Sequence, residues 1–362
     1  MSLVDKITPE NIRQLVPYSS AKRELFDVQV SNNSIWLNAN ESPYRGGLDD
    51  ELHPNINRYP DFQSDKLVAS YAQYADVKPQ NVLVTRGADE GIELLVRTFC
   101  TPGVDNIIIN PPTYGMYTIC ATTFNIGTMK VPLNQDYQID VDGLIAMKDN
   151  NIKLVFICSP NNPTGAIISR PKIIQVLEAY QDSALVVLDE AYIEFCATAS
   201  VDDLIAQYPN LVVLRTLSKA FALAGIRCGF TLAQQAVIDM MKKVIAPYPI
   251  PAPVEAIAID ALSPQGIGQM RQQVSQINLQ KSAFLAQLRQ YGFITKVLKS
   301  DTNFVLIQVD NKQQLLDAMA QQDIYIRDQS KQPTLAGHVR ISIGDGSQMQ
   351  AVLTVLDQLK EG

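Results

Sequence analysis

The chain has 362 residues, 46% hydrophobic and 19% charged, with a formal net charge of −7 and an isoelectric point near 5.0, enough apolar matter for two domains with filled cores. The acidic balance and the lack of any Lys/Arg cluster argue against a nucleic-acid partner and point to a small-molecule one. No stretch reaches the roughly 18 consecutive apolar residues of a membrane span, and the start, Met1-Ser-Leu-Val-Asp-Lys6, lacks the apolar core of a signal peptide, so the expected location is the cytoplasm, with no membrane partner.

In chain order, apolar strand-like runs alternate with helical patterns. Asn81–Thr85 precedes a helix from Glu90 to Phe99, Asn106–Asn110 a helix near Tyr114–Thr122, and Leu154–Cys158 a helix from Pro171 to Tyr180; Ala184–Asp189 and Leu211–Leu214 continue the series. Continuous apolar strands separated by helices predict a mostly parallel sheet covered on both faces, an α/β architecture. Ligands of such sheets bind beyond the carboxyl ends of the strands, and Thr85, Pro160-Asn-Asn-Pro163, Asp189 and Lys219 all fall just after strand ends. The proline cluster Pro247-Tyr-Pro-Ile-Pro-Ala-Pro253 marks a change of direction. Beyond it, an amphipathic stretch from Gln265 to Tyr291, a strand at Asn303–Val309, a helix near Lys312–Gln321 and a strand at His338–Ile343 predict a smaller α/β domain with antiparallel pairing. The expected division is a large domain over 40–265 and a small domain built from 1–39 and 266–362. No internal repeat or low-complexity segment occurs.

Only two histidines exist, His53 and His338, neither beside a cysteine or carboxylate at ligand spacing; this argues against a histidine-based metal site and a Ser-His-Asp hydrolase. Cys100, Cys120, Cys158, Cys196 and Cys228 show no paired spacing and read as reduced, small core residues. A lone lysine is ordinarily a solvated surface charge. Lys219, however, lies in Arg215-Thr-Leu-Ser-Lys-Ala-Phe-Ala-Leu-Ala-Gly-Ile-Arg227, just after a strand, with a second cation eight positions on and Asp189 thirty positions before it. A lysine that forms a Schiff base needs an electron sink, and an aspartate facing a pyridine nitrogen is the partner expected for pyridoxal phosphate. Asp189 closes an apolar run, where a carboxylate is costly to bury unpaired.

Asn162-Pro-Thr-Gly165, Asp189 with Tyr192, and Ser218-Lys219 with Arg227 resemble, in order and spacing, the fold type I pyridoxal-phosphate aminotransferases of class II. Leu37-Asn-Ala-Asn-Glu-Ser-Pro43, Arg58-Tyr-Pro-Asp61, Arg86-Gly-Ala-Asp-Glu-Gly-Ile-Glu93, Pro111-Pro-Thr-Tyr-Gly-Met-Tyr117 and Ile326-Arg-Asp-Gln329 narrow the resemblance to the histidinol-phosphate aminotransferase family. Each segment alone is weak; eight in order, from near the start to residue 343, are not.

The resemblance implies pyridoxal 5'-phosphate as cofactor, with no metal, and a role for each matching residue. Asp189 would pair with the pyridine nitrogen, Tyr192 and Asn162 would donate to the phenolate oxygen, and Lys219 would hold the cofactor and move the proton as general base and acid. Asn162 reads equally as the turn residue before Pro163. Thr216, Ser218 and Arg227, with backbone amides at Gly87, Ala88 and Asp89, would clamp the phosphate at a helix N-terminus; Gly87-Ala88-Asp89 also reads as a plain helix start with an acidic first turn. Asp89 and Glu90 must then point away from the anion or pair through Arg227. Tyr114 would stack on the ring, or else be a core aromatic under a loop. Tyr59 would come from the neighbouring subunit, which makes a homodimer part of the expectation. Arg340 would grip substrate anions bidentately, assisted by Arg327, whose alternative is a surface salt bridge to Asp328 or Asp323. Tyr18 and Asn40 would line the substrate pocket.

The implied reaction is transamination of L-histidinol phosphate with 2-oxoglutarate to imidazole-acetol phosphate and L-glutamate, a step of histidine biosynthesis that runs ping-pong through the aminated cofactor. A broad aromatic aminotransferase is the nearest alternative, since pocket shape separates such substrates by only about 1–3 kcal/mol. A decarboxylase of a phosphorylated amino acid shares the motifs. A cofactor-sensing regulator would need a nucleic-acid-binding module, for which the chain has neither spare residues nor basic charge.

Overall fold

The computed structural model describes residues 2–18, 35–44 and 56–361. Its larger unit is built on a seven-stranded sheet of β1 (Val82–Thr85), β2 (Asn106–Ile109), β3 (Gly127–Lys130), β4 (Ile152–Cys158), β5 (Leu185–Asp189), β6 (Leu211–Thr216) and β7 (Gly229–Ala233), in the order β1-β7-β6-β5-β4-β2-β3. β7 is antiparallel to both neighbours and the remaining pairs are parallel. Successive side chains leave a strand on opposite faces, so the apolar runs feed two cores. Val84, Val155, Ile157, Val186 and Leu188 pack into one. Leu83, Leu154, Phe156, Leu185 and Val187 pack into the other. This is the mostly parallel α/β arrangement that unbroken apolar strands demand.

The helices are α1 (Leu3–Ile7), α2 (Glu10–Arg13), α3 (Asp65–Tyr74), α4 (Ala88–Phe99), α5 (Met116–Thr123), α6 (Val141–Ala146), α7 (Arg170–Tyr180), α8 (Gln235–Val244), α9 (Ala252–Ala261) and α10 (Pro264–Leu288). A second sheet follows, with β8 (Ile294–Val297), β9 (Phe304–Val309), β10 (Arg327–Asp328) and β11 (His338–Ser342) in the order β10-β11-β9-β8, all antiparallel, together with α11 (Lys312–Ala320) and α12 (Gly346–Glu361). Among the described residues no helix is long and apolar enough to cross a membrane.

Sequence periodicity reveals neither β3 nor β7. β3 is a short edge strand with no buried residue, so it lacks the apolar run that marks its neighbours. β7 opens on Gly229 and carries Thr231 within its apolar residues, which blurs the pattern although every residue of it is buried. The N-terminal assignment also needs correcting. Residues 1–39 were expected in the small domain, yet Val4 and Ile7, three apart on one helix face, join the core that contains Leu83 and Val237, and Lys243 Nζ donates to the Arg13 carbonyl at 2.7 Å. The described helices of that segment therefore pack on the large unit. α10 spans both units, burying Met270 and Val274 in the large core and Phe284 and Leu288 in the small one.

Beside the carboxyl ends of β5 and β6 lies a buried ion cluster. Arg215 donates to Glu190 Oε2 at 2.8 Å, to Ser200 Oγ at 2.8 Å and to Asp202 Oδ2 at 2.9 Å, and Glu194 Oε1 stands 3.9 Å away. Glu194 Oε2 is buried without a hydrogen-bond partner. Burial, opposed by Arg215, pushes the Glu194 carboxyl from 4.5 up to about 7. A carboxyl raised on folding favours the protonated native state, so its contribution is complete below about pH 4.5 and is lost as pH rises through about 7. Glu194→Gln cannot titrate. Its melting temperature relative to the wild type is therefore expected to climb between pH 5 and pH 8; a constant difference across that range would show that Glu194 stays ionised.

Candidate active site

A cavity of ≈ 550 Å³ opens where the two units meet, at the carboxyl ends of β4, β5 and β6. The topology explains the convergence. Parallel strands end on the same edge, so residues at the ends of β4, β5 and β6, and just beyond them, share one wall. That edge brings Asn162, Asp189, Tyr192, Thr216, Ser218 and Lys219 together, while the first turn of α4 adds Ala88 and Asp89, and Tyr114, Arg227, Arg327 and Arg340 also line the cavity. Gly87 does not line the cavity but lies under it at φ +80, where a Cβ would stand 2.8 Å from Arg227 Nη2.

Asp189 is 3% exposed. Its Oδ2 accepts from Tyr117 Oη at 2.6 Å and its Oδ1 from the Ala191 amide at 3.1 Å. Burial pushes its carboxyl up, against the pull of the Tyr117 hydrogen bond. Lys219 Nζ stands 5.4 Å from the centroid of the Tyr192 ring. Burial lowers its ammonium first and Arg340 second, opposed by Asp189 and Asp89, which favours the neutral, nucleophilic amine. Burial likewise pushes the Tyr192 phenol up, so it stays a donor.

Arg340 Nη1 donates to Asn162 Oδ1 at 2.5 Å, and its guanidinium lies 5.1 Å from the Phe304 ring centroid. Arg327 stands directly opposite Arg340 across the β10–β11 pair. Among the described residues the alternative for Arg327, a salt bridge to Asp328 or Asp323, is not formed, and the Asp328 carboxylate is held by Lys312 at 2.6 Å. Arg227 adopts a left-handed backbone, φ 53, and reaches Asp89 Oδ2 at 3.2 Å and Ser218 Oγ at 3.3 Å. Asp89 also accepts from Tyr114 Oη at 2.9 Å. Glu90 turns away and is held by Arg86 at 2.6 Å. Of the two routes open to these carboxylates, Asp89 pairs through Arg227 and Glu90 points elsewhere.

Besides Gly87, three expected residues are not in the lining of this chain's cavity. Tyr59 is 47% exposed, stacked on Tyr248 with centroids 4.4 Å apart, and its amide donates to Glu41 Oε1 at 2.7 Å. Tyr18 is 66% exposed, and Asn40 is exposed at φ 55. Conversely, Gln329 and Gln332 line the cavity, and Gln332 Nε2 donates to the Thr113 carbonyl at 3.1 Å across the junction of the two units. Tyr117, through Asp189, is a further contributor that motif reading passes over in favour of Tyr114, although both sit in one quoted segment.

These residues fit pyridoxal phosphate. Asp189 is a buried carboxylate whose two described partners, a phenol and an amide, are both neutral, which leaves its charge for a protonated ring nitrogen. The glycine cradle is the second sign. Cβ atoms at Gly87 and Gly229 would collide with Arg227 and with the Gly87–Ala88 backbone, so the chain keeps open the approach to the first amides of α4, which lack intrahelical partners and attract phosphate.

Residues 33–356 match the family model described as aminotransferase class I and II. A histidinol-phosphate aminotransferase of Pseudoalteromonas atlantica is 46% identical over 357 residues, which cover 99% of this chain and 95% of that one. The crystal structure of the Clostridium acetobutylicum histidinol-phosphate aminotransferase superposes with a TM-score of 0.79 at 28% identity, covering 86% of this chain and 93% of that one. The Sinorhizobium meliloti enzyme, solved in complex with pyridoxal 5'-phosphate, shares the fold with a TM-score of 0.77 at 24% identity over 85% of this chain and 86% of its own. With a family match over most of its length and this identity over nearly all of it, the chain belongs to the class I and II aminotransferases and, within them, to the histidinol-phosphate aminotransferase family.

Proposed function

We propose that the protein transfers the amino group of L-histidinol phosphate to 2-oxoglutarate, giving imidazole-acetol phosphate and L-glutamate in histidine biosynthesis. The observation that carries the substrate reading is the Arg327–Arg340 pair. Two like charges directly opposite on a sheet repel, and both line the cavity that holds Lys219. A dianionic phosphate relieves that repulsion, and a carboxylate can take its place in the second half reaction.

Bound pyridoxal phosphate supplies the electron sink and carries the amino group between the two half reactions. The protein supplies the rest. Arg227, Ser218, Thr216 and the α4 amides would hold the cofactor phosphate, and Asp189 the ring-nitrogen proton. Asn162 Oδ1 accepts from Arg340 Nη1, which leaves Asn162 Nδ2 and the Tyr192 hydroxyl as the donors that would reach the phenolate oxygen. Tyr114 would cover the ring. Lys219 Nζ, lowered by burial, would take the proton from the amine-bearing carbon of the substrate and deliver it to the cofactor carbon across the nitrogen. Tyr59 lies outside this chain's cavity and is 47% exposed, which supports a homodimer in which it serves the neighbouring subunit's site. The net charge of −7 supports small-molecule substrates over a nucleic-acid partner.

The test is a visible titration of the cofactor-loaded protein with L-histidinol phosphate and no keto acid. Conversion to the aminated cofactor at low concentration, reversed by 2-oxoglutarate, is expected. Equal conversion by phenylalanine would mean a broad aromatic aminotransferase, and release of carbon dioxide without conversion would mean a decarboxylase. Arg340→Ala is expected to lower kcat/KM roughly 10- to 100-fold for histidinol phosphate and for glutamate alike. Loss of only one would separate the two anion sites.

A further inference from the structure

Tyr117 is fully buried, on the second residue of α5. Its hydroxyl donates to Asp189 Oδ2 at 2.6 Å. The ring is clamped in place: it stacks on Phe156 with centroids 4.8 Å apart at 14°, and meets Tyr114 edge-on at 5.7 Å and 83°. A fixed donor of this kind decides how the carboxylate is turned, because the Ala191 amide claims the other oxygen. It also favours the charged carboxylate against the cost of burial.

We infer that Tyr117 is a positioning residue that orients Asp189 and keeps its negative charge available to the cofactor's ring nitrogen. The inference rests on the reading of Asp189 as the partner of that nitrogen. Tyr117 does not line the cavity and would act only through Asp189. Its contact with Tyr114 ties the orientation of the carboxylate to the residue expected to cover the ring.

Tyr117→Phe removes one oxygen and keeps both ring contacts. Two readouts other than turnover report on it: the affinity of the apoprotein for pyridoxal phosphate, and the nitrogen-15 resonance of the ring nitrogen in protein loaded with labelled cofactor at neutral pH. Tyr117→Phe is expected to weaken the cofactor about tenfold and to move the resonance toward that of an unprotonated pyridine. Asp189→Asn should do both more strongly, and the double variant should resemble Asp189→Asn alone. Tyr117→His, which keeps a ring and a donor, should recover part of the shift, and this recovery separates the hydrogen bond from simple packing. An unchanged resonance and affinity in Tyr117→Phe, with both altered in Asp189→Asn, would overturn the inference and leave the Asp189 reading standing. An unchanged resonance in both variants would overturn the Asp189 reading and the inference with it.

Discussion

Lys219→Ala is expected to abolish the visible absorbance of the bound cofactor that depends on a Schiff-base lysine and to lower turnover at least about 10⁴-fold, since it removes the covalent attachment and the general acid–base at once. The fold should survive. Among the described residues the Lys219 ammonium makes no side-chain hydrogen bond or ion pair and stands 5.4 Å from the Tyr192 ring centroid, so apoprotein melting should move little. Lys281 is an instructive contrast. Its ammonium is likewise lowered by desolvation, but its Nζ is held by the Thr302 carbonyl at 2.6 Å. Lys281→Met should cost stability and leave the absorbance unchanged. Near-normal turnover in Lys219→Ala, measured by the loss of 2-oxoglutarate with histidinol phosphate, would sink the assignment of the site.

The largest expected loss of stability comes from Arg215→Met, on the order of 3–5 kcal/mol, because it strands buried carboxylates without their cation. Glu190 and Glu194 have side chains only 2% and 5% exposed, and each faces Arg215. Chemical denaturation of the apoprotein measures the effect. Pairing the change with Glu190→Gln should recover part of the loss, since the stranded charge is then removed as well. A cost under about 1 kcal/mol would mean that solvent reaches the cluster and screens it. The consequence for activity is geometric. Glu190 follows Asp189 and Arg215 precedes Thr216, so this ion cluster ties together the two strand ends that carry one side of the cavity.

Some of this was legible before any coordinates. Asp189, Asn162 and Lys219 stand out because each follows an apolar strand, and in a parallel sheet that position alone directs a residue to the ligand edge. The matching of motifs in order named the family and the cofactor on the same residues. Other features depend on contacts that no local window contains. The Tyr117–Asp189 hydrogen bond joins residues 72 apart, and Tyr117 by itself reads as an ordinary apolar position of a short helix. The opposition of Arg327 and Arg340 is a matter of strand register, which is set by packing of the whole small sheet. The N-terminal helix carries three apolar residues, Leu3, Val4 and Ile7, and nothing in five residues specifies which core they join.

Composition and strand periodicity were sufficient for the α/β class, and the resemblance carried by the motifs for the family and the cofactor, because these depend on residue type and short-range pattern. Which carboxylate oxygen is held, which arginine faces which, and which surface receives the first helix were decided by tertiary packing, because these outcomes depend on distances between segments far apart in the chain.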